Sequence, residues 1–486
     1  MRRSGTFCII YTSAILLFYY IYDCKAATSL LGTNPHGQST SEPFNASAVS
    51  YVLTPAALCR KHQCCCLPTD SATETSVDCS YKSIDSMKRL SLPDYVVEID
   101  LSGNNFSNIL DNYFYTGPGV RTLDLSHNSI SFIAMRSFHG LGNLGRLSLA
   151  HNKLSSLEDE VFGGLNKLRT LDLSYNRIST LFSMYFESLS KLEVLNLAHN
   201  PLMELSGSAF SKFKTLNHLN LQSTGLKTLK SDDLKDLAGL KTLDLSFNAF
   251  EVVPLSALRA MTQLRHLDLS GNLLHVLSPF SFYGLTSLRS LNLKYMSNLK
   301  RIERHAFGDV ISLKMVDLSF SAHLKSFDKL AFTFNTSKAR VELDALYARQ
   351  TALETLSSTL LQWDYVSELD LAENPWICDC RLSWMLDLAS LDVSDGKSRC
   401  ASPEALSGRL ITKVKEEEMC SLMSTHPGVH DVGTAMKTVL GLLIVVSVVL
   451  AIVIITMIYV KIRARKVQKY HGLKERISYN ASAADE

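Results

Sequence analysis

The sequence has no cysteine between Cys79 and Cys378, although it holds eleven in all. Any disulfides must therefore flank that long stretch rather than cross it. It also lacks a strong charge of either sign: 49 Lys and Arg stand against 47 Asp and Glu, for a net charge of +2. That balance argues against a dedicated nucleic-acid binder, which carries a clear basic excess. No H-E-x-x-H or G-x-S-x-G occurs, so two common signatures of hydrolytic enzymes are missing. Gly396-Lys397-Ser398 lacks the earlier glycine of a phosphate-binding loop. Disorder across the whole chain is equally disfavoured, because 46% of the residues are hydrophobic. The length of 486 residues allows two to four domains.

The apolar residues concentrate partly at the two ends. Arg2 and Arg3 precede an apolar run from Phe7 to Tyr22, and Ala26 offers a small residue for cleavage. These are the parts of a secretory signal, expected over residues 1–26; an uncleaved anchor is the rival reading. Near the other end, Thr438 to Val460 contains no charge. A helix over 438–460 is long enough to cross the hydrocarbon core of a bilayer. Lys461, Arg463, Arg465, Lys466 and Lys469 follow at once, and this basic flank places residues 461–486 in the cytosol. The expected topology is single-pass at the plasma membrane with the N-terminus extracellular. Residues 27–58, rich in Ser, Thr, Pro and Ala, read as a flexible lead, and 421–437 as a short stalk.

An internal period fills the middle. Val120, Leu123, Leu125, Asn128 and Ile130 have the spacing L-x-x-L-x-L-x-x-N-x-L. The frame starts at Val96 and returns every 24 residues at Val120, Leu144, Leu168, Leu192, Leu216, Leu240, Leu264 and Leu288. Looser copies start near Leu313 and Lys338, and a last clear one at Val366, giving about twelve units over 96–373. A second column keeps the same register: Phe114, Phe138, Phe162, Phe186, Phe210, Leu234, Leu258, Phe282, Phe307 and Phe332. This pattern resembles the leucine-rich repeat family in its extracellular form. The resemblance implies an α/β leucine-rich repeat solenoid, with a curved parallel sheet on the concave side, cysteine-rich caps and one transmembrane helix. The leucines of each short strand point inward and the Phe column closes the convex side. Asn104, Asn128, Asn152, Asn176, Asn200, Asn248 and Asn272 bond backbone groups that a bend leaves unpaired, with Thr224 doing part of that work in one unit. One unit cannot bury its apolar face alone, so the units fold as an array. Between Leu288 and Val366 the frame loosens, with Met296, Ser321 and Leu346 near positions where Asn is expected. That stretch reads either as drift near a terminus or as an insertion serving a partner.

The cysteines flank the array, where a solenoid must cover its exposed core. Asn374-Pro375-Trp376-Ile377-Cys378-Asp379-Cys380, with Cys400 and Cys420, resembles the C-terminal cap of the same family, over 374–420. The resemblance implies Cys378–Cys400 and Cys380–Cys420, with Trp376 as an apolar lid. Cys59, Cys64, Cys66 and Cys79 resemble the N-terminal cap, over 59–95, and imply Cys59–Cys66 and Cys64–Cys79. Cys65 departs from that pattern and is left over, as a free thiol, an intermolecular bridge or a sign of shifted register. Zinc is a rival reading for these cysteines, disfavoured by export to an oxidising space.

Asn45, Asn105 and Asn335 lie in glycosylation sequons on the exported side. Two columns are expected to face solvent from the strands and to bind a ligand. One includes Asp124, Asp172, Asn196, Asn220 and Asp244; the other includes His127, His151, Tyr175, His199 and Phe247. The bland alternative is that such residues are ordinary repeat wording. His127 and His151 lack an evident third metal ligand. Tyr470-His471-Gly472-Leu473 resembles a sorting signal read through Tyr470 and Leu473 by an adaptor. The expected function is that of a non-catalytic cell-surface adhesion molecule or co-receptor, with a protein ligand, no cofactor and no nucleic acid. An innate-immune pattern receptor or accessory, acting through a signalling co-receptor, is the alternative.

Overall fold

Why the chain coils follows from its strand pattern. In each unit a three-residue strand carries one central apolar residue, flanked by two polar or half-buried ones. Alternation at period two sends the central residue inward and its neighbours outward. Leu123, Leu147, Leu171, Leu195, Leu219, Leu243, Leu267 and Leu291 are all essentially inaccessible to solvent. The computed structural model describes residues 64–69, 73–85, 90–334, 340–388, 397–421, 443, 446–463 and 465–466. Its residues fall into two compact units, 1–415 and 416–486.

The first unit is a parallel β-solenoid of thirteen turns. From Val96–Asp100 onward, equivalent residues pair across successive strands without slippage, as in Leu171 with Leu195 and Leu195 with Leu219. The sheet runs from Thr75–Asp78 through Val96–Asp100 to Glu368–Asp370, with Cys65–Pro68 adding a fourteenth, antiparallel strand at its start. The sheet therefore begins inside the N-terminal cap, one turn before the first unit legible in the sequence. Val77 fills the inward position there, and Cys79 takes the place of the next leucine.

The convex side contains turns, short 3-10 segments, a four-residue helix at Leu255–Leu258 and small parallel ladders such as Val276–Leu277 with Arg301–Ile302. Its core is the phenylalanine column, buried throughout. Phe114, Phe138, Phe162 and Phe186 stack at successive centroid distances of 5.8, 6.4 and 6.2 Å. The column resumes at Phe282, Phe307 and Phe332, at 5.7 and 4.7 Å.

The asparagine ladder ties neighbouring turns together. Asn128 donates to the carbonyls of Leu125 and, one turn earlier, Leu101, each at 3.0 Å. Its side-chain oxygen accepts the amide of Phe106 at 3.1 Å. Asn152, Asn176, Asn200, Asn248 and Asn272 repeat this pattern. Thr224 donates to the carbonyl of Leu221 at 2.9 Å, and Asn248 accepts its amide.

Lys338 is not the start of a unit. The strand after Met315–Asp317 is Ala345–Tyr347, which pairs in register with it. Leu343, buried, occupies the starting position, so successive starts from Leu288 lie 25, 30 and 23 residues apart. Lys338 itself lies outside the described residues. Leu346 is a central strand leucine, fully buried, and the ladder position belongs to Thr351, which donates to Asn374. The sheet keeps one strand per turn, and the extra length is taken up elsewhere in the turn.

Cys64 is bonded to Cys79, and Cys378 to Cys400. Cys65, Cys66, Cys380 and Cys420 are disulfide-bonded as well, so Cys65 is not a leftover thiol. Cys59 lies outside the described residues. Trp376 is fully buried, its ring nitrogen donating to the carbonyl of Leu371 at 3.0 Å. The second unit contains a short helix at Glu416–Ser421 and a helix at Val446–Arg463 long and apolar enough to cross a membrane. The expected signal (1–26), lead (27–58), stalk beyond Ser421, sequons at Asn45 and Asn335, and tail motif at Tyr470 and Leu473 lie outside the described residues.

Candidate functional site: an acidic row and an aromatic ledge

The last residue of each strand forms the first row. Pairing aligns Asp100, Asp124, Ser148, Asp172, Asn196, Asn220, Asp244, Asp268, Asn292 and Asp317 across adjacent strands. These side chains are half-buried or, for Asp317, buried, and they have a local task. One oxygen of Asp100, Asp124, Asp172, Asp244 and Asp268 accepts the amide two residues on, at 2.7–2.8 Å. That bond turns the chain out of the sheet. The second oxygen remains for neighbours: Asn196 donates to Asp172 at 3.2 Å, and Asn292 to Asp268 at 2.9 Å. Asn196 is thus a bridging group within the row rather than a freely exposed one. Burial raises the Asp100 and Asp244 carboxyls above the ordinary carboxylate range, against hydrogen bonds from Ser102 and Ser246 that lower them. Neighbouring carboxylates, Asp124 and Asp78 in one case and Asp268 in the other, push the same way as burial.

The second row is not in the strands. His127, His151, Tyr175, His199 and Phe247 sit in the turn that follows, each with φ between 52° and 55°. The strand register therefore does not set their direction; a left-handed backbone does. That region is uncommon for residues with a Cβ and informative where it recurs. Here it holds at one position in turn after turn, and it brings the rings face to face. His127 and His151 stack at 4.1 Å, His151 and Tyr175 at 4.0 Å, Tyr175 and His199 at 4.0 Å. Tyr295 and Phe320 continue the row at 4.9 Å. Where the row lacks a ring it has Ser223 or Gly271, also at positive φ. Gly271 has no room for a side chain, because a Cβ there would meet the Phe247 ring at 2.5 Å. Tyr81 in the cap lies over Gly103 in the same way.

Tyr175, Phe247, Tyr295 and Phe320 all expose over a third of their surface. The His151 imidazole is held below its usual pKa, first by burial and then by His127 and His199, while Asp172 opposes them. Tyr81 and Phe320 were missed in the sequence. Phe320 was findable, because it stands seven residues after Leu313, as His127 does after Val120. Among the described residues, no group of three or more His, Cys, Asp and Glu is placed to hold a metal. What the two rows offer is a ledge of exposed ring edges beside an acidic strip. Such a surface can pack apolar groups, and its carboxylates attract cationic ones.

A family model for the leucine-rich repeat matches residues 95–154, 142–202, 190–250 and 239–296. Residues 95–296 are leucine-rich repeats. The chain's capping disulfides and its thirteen-turn sheet fit the extracellular form of that family. Among solved structures, the chain is similar to one from the mouse RP105/MD-1 complex, at 24% identity and a TM-score of 0.58, covering 66% of this chain and 54% of that one. It is also similar to one from the Drosophila Toll–Spätzle complex, at 20% identity and a TM-score of 0.50, covering 69% and 57%. These likenesses show a shared fold. The chain spans a little over half the length of these two solved chains. Asn105 is exposed.

Proposed function

We propose that this leucine-rich repeat protein is a cell-surface recognition molecule, an adhesion protein or co-receptor, whose ledge and acidic row bind a protein ligand without catalysis. The observation that carries the reading is the exposed stack from His127 to His199, continued at Phe247, Tyr295 and Phe320. Aromatic side chains are enriched where proteins meet, and they dominate the energy of such contacts. The similar solved chains come from complexes with a second protein, Spätzle for Toll and MD-1 for RP105. The helix at Val446–Arg463 and the basic residues after Val460 support attachment by one span, with the repeats outside the cell. The Toll complex is described as a hub in development and innate immunity, which supports an immune accessory as the second reading.

The test is a binding screen of the extracellular region against cell-surface proteins, followed by Tyr175→Ala and Phe247→Ala. Loss of the hit in both variants, at normal surface level, is expected. Retention of binding in both would move the interface to the convex side or an edge. A hit that is itself a signalling receptor favours the immune reading; an adhesion partner on an opposing cell favours the first.

A further inference from the structure

We propose that Lys241, Arg265 and Arg289, with Lys314 paired to Asp344 at the end of their row, form a second binding site, separate from the ledge, for a sulfated polysaccharide. These residues occupy one position, just before the strand, in four consecutive turns. The backbone fixes their alignment. Each residue's carbonyl takes the two amides that open the next turn, as Lys241 does from Arg265 and His266 at 2.8 and 3.0 Å. Arg265 and Arg289 accept in the same way. Cations are therefore spaced by the strands, at about 4.8 Å each. All four are exposed.

Earlier turns place cations at the same position but neutralise them. Arg121 pairs with Glu74 at 2.8 Å, and Arg169 pairs with Glu193. Among the described residues no carboxylate pairs with Lys241, Arg265 or Arg289, and Asp344, bonded to Lys314 at 3.2 Å, closes the row. His218 and His266 lie beside it, and Arg265, His218 and Arg289 all act on His266 electrostatically. The acids of these strands, Asp244, Asp268 and Asp317, stand three residues further along, toward the ledge.

The flanks decide the class of partner. Beside the cations run Gly239, Gln263, Ser287 and Ser312, which are small or polar and uncharged. Interfaces with proteins rest on buried aromatic and apolar anchors. Those anchors line the other edge of the sheet here. A linear polyanion needs only regularly spaced cations, and guanidinium groups bind tetrahedral oxyanions through paired hydrogen bonds.

The experiment uses the full chain in detergent, with heparin as the sulfated probe, N-acetylated and desulfated heparin as its sulfate-free control, and polyglutamate as an acidic polypeptide. Wild type is expected to bind heparin, with affinity falling as salt rises. Arg265→Gln with Arg289→Gln should weaken binding roughly tenfold or more, since charge-assisted bonds are lost at two positions. Arg265→Lys with Arg289→Lys should retain an intermediate affinity, which also shows that the turns are intact. Arg121→Gln with Arg169→Gln should leave binding unchanged. Equal losses in both Gln pairs would mean diffuse charge attraction and overturn the site. Unaltered binding in the Arg265 and Arg289 variant would overturn it too, as would polyglutamate competing as well as heparin, which would assign the row to an acidic protein. The ledge variants Tyr175→Ala and Phe247→Ala should bind heparin normally, so failure of one site is distinguishable from failure of the other.

Discussion

The turns that start at Val120 to Leu264 and those that start at Leu288 to Leu343 build one continuous sheet with different ladders. In the first group Asn fills the ladder position and bonds both its own turn and the one before, except at Thr224, which bonds its own turn and Asn248 of the next. In the second group the position holds Met296, Ser321 and Thr351. Met296 is buried, and Ser321 reaches across to its amide at 3.3 Å and to the carbonyl of Leu293 at 3.3 Å. Thr351 donates to the side-chain oxygen of Asn374, which restores the full pattern at the cap. The strand pairing is the same in both groups, Asn292 with Asp317 as regularly as Asp172 with Asn196. Register therefore belongs to the inward leucines and the backbone ladder, and the asparagines secure the bend behind it.

The largest expected effect tests that division. Leu197 is fully buried just after its strand. Leu197→Asp would bury an unpaired carboxylate and should cost more than the roughly 2–5 kcal/mol of a leucine-to-alanine cavity. Chemical denaturation or loss of surface expression reads it, and normal expression would break the assignment of inward positions. Next comes the cap that closes the irregular group. Cys378→Ser removes the bridge to Cys400. Loss of a native bridge from a small exported domain costs about 2–5 kcal/mol. Hydrogen exchange should rise first in the turns from Leu343 onward, and a uniform rise along the array would contradict a local role for the cap.

The ladder comparison itself is sharper and smaller. Asn248→Ala leaves the amides of Thr224 and Leu226 without their partner. Each buried group left unpaired costs about 1–3 kcal/mol. Ser321→Ala removes one hydroxyl with two longer bonds and should cost about 1 kcal/mol. Equal losses in the two variants, measured by thermal or denaturant unfolding, would mean that the two groups are held alike.

The smallest effect is in pH. The His151 imidazole is neutral more readily in the folded chain than in the unfolded one, because its pKa is lowered. Its contribution is complete above the ordinary value of about 6.5 and is lost as pH falls through and below that point. The stack from His127 to His199 should loosen on acidification, seen as faster exchange confined to those turns. His151→Phe should abolish the dependence, and an unchanged pH response in that variant would assign it to other groups.

The repeat frame was legible because buried leucines recur at fixed spacing, and a column of phenylalanines confirmed it. Three features were not legible, the cap strand at Thr75–Asp78 among them. The unit after Leu313 is long, and matching by interval placed its successor at Lys338, whereas the sheet accepts only Leu343 as the inward start. Another is the ledge. Its residues could be lined up from the sequence, but a strand-based reading gives them the wrong backbone. The positive φ at His127, Tyr175 and Phe247 accompanies the turn made by the aspartate three residues before, a local bond that periodicity does not express. The cap strand at Thr75–Asp78 was hidden for a related reason: cysteine replaces leucine in its frame.

The most direct test of recognition through the ledge is site-specific photo-crosslinking on living cells. A photoreactive residue would replace Tyr175 on the ledge in one variant and Phe182, exposed on the convex side, in another. Recognition through the ledge predicts a discrete adduct with a cell-surface protein from position 175 and none from position 182, with the adduct lost in Phe247→Ala. The same adduct from position 182 alone would contradict it.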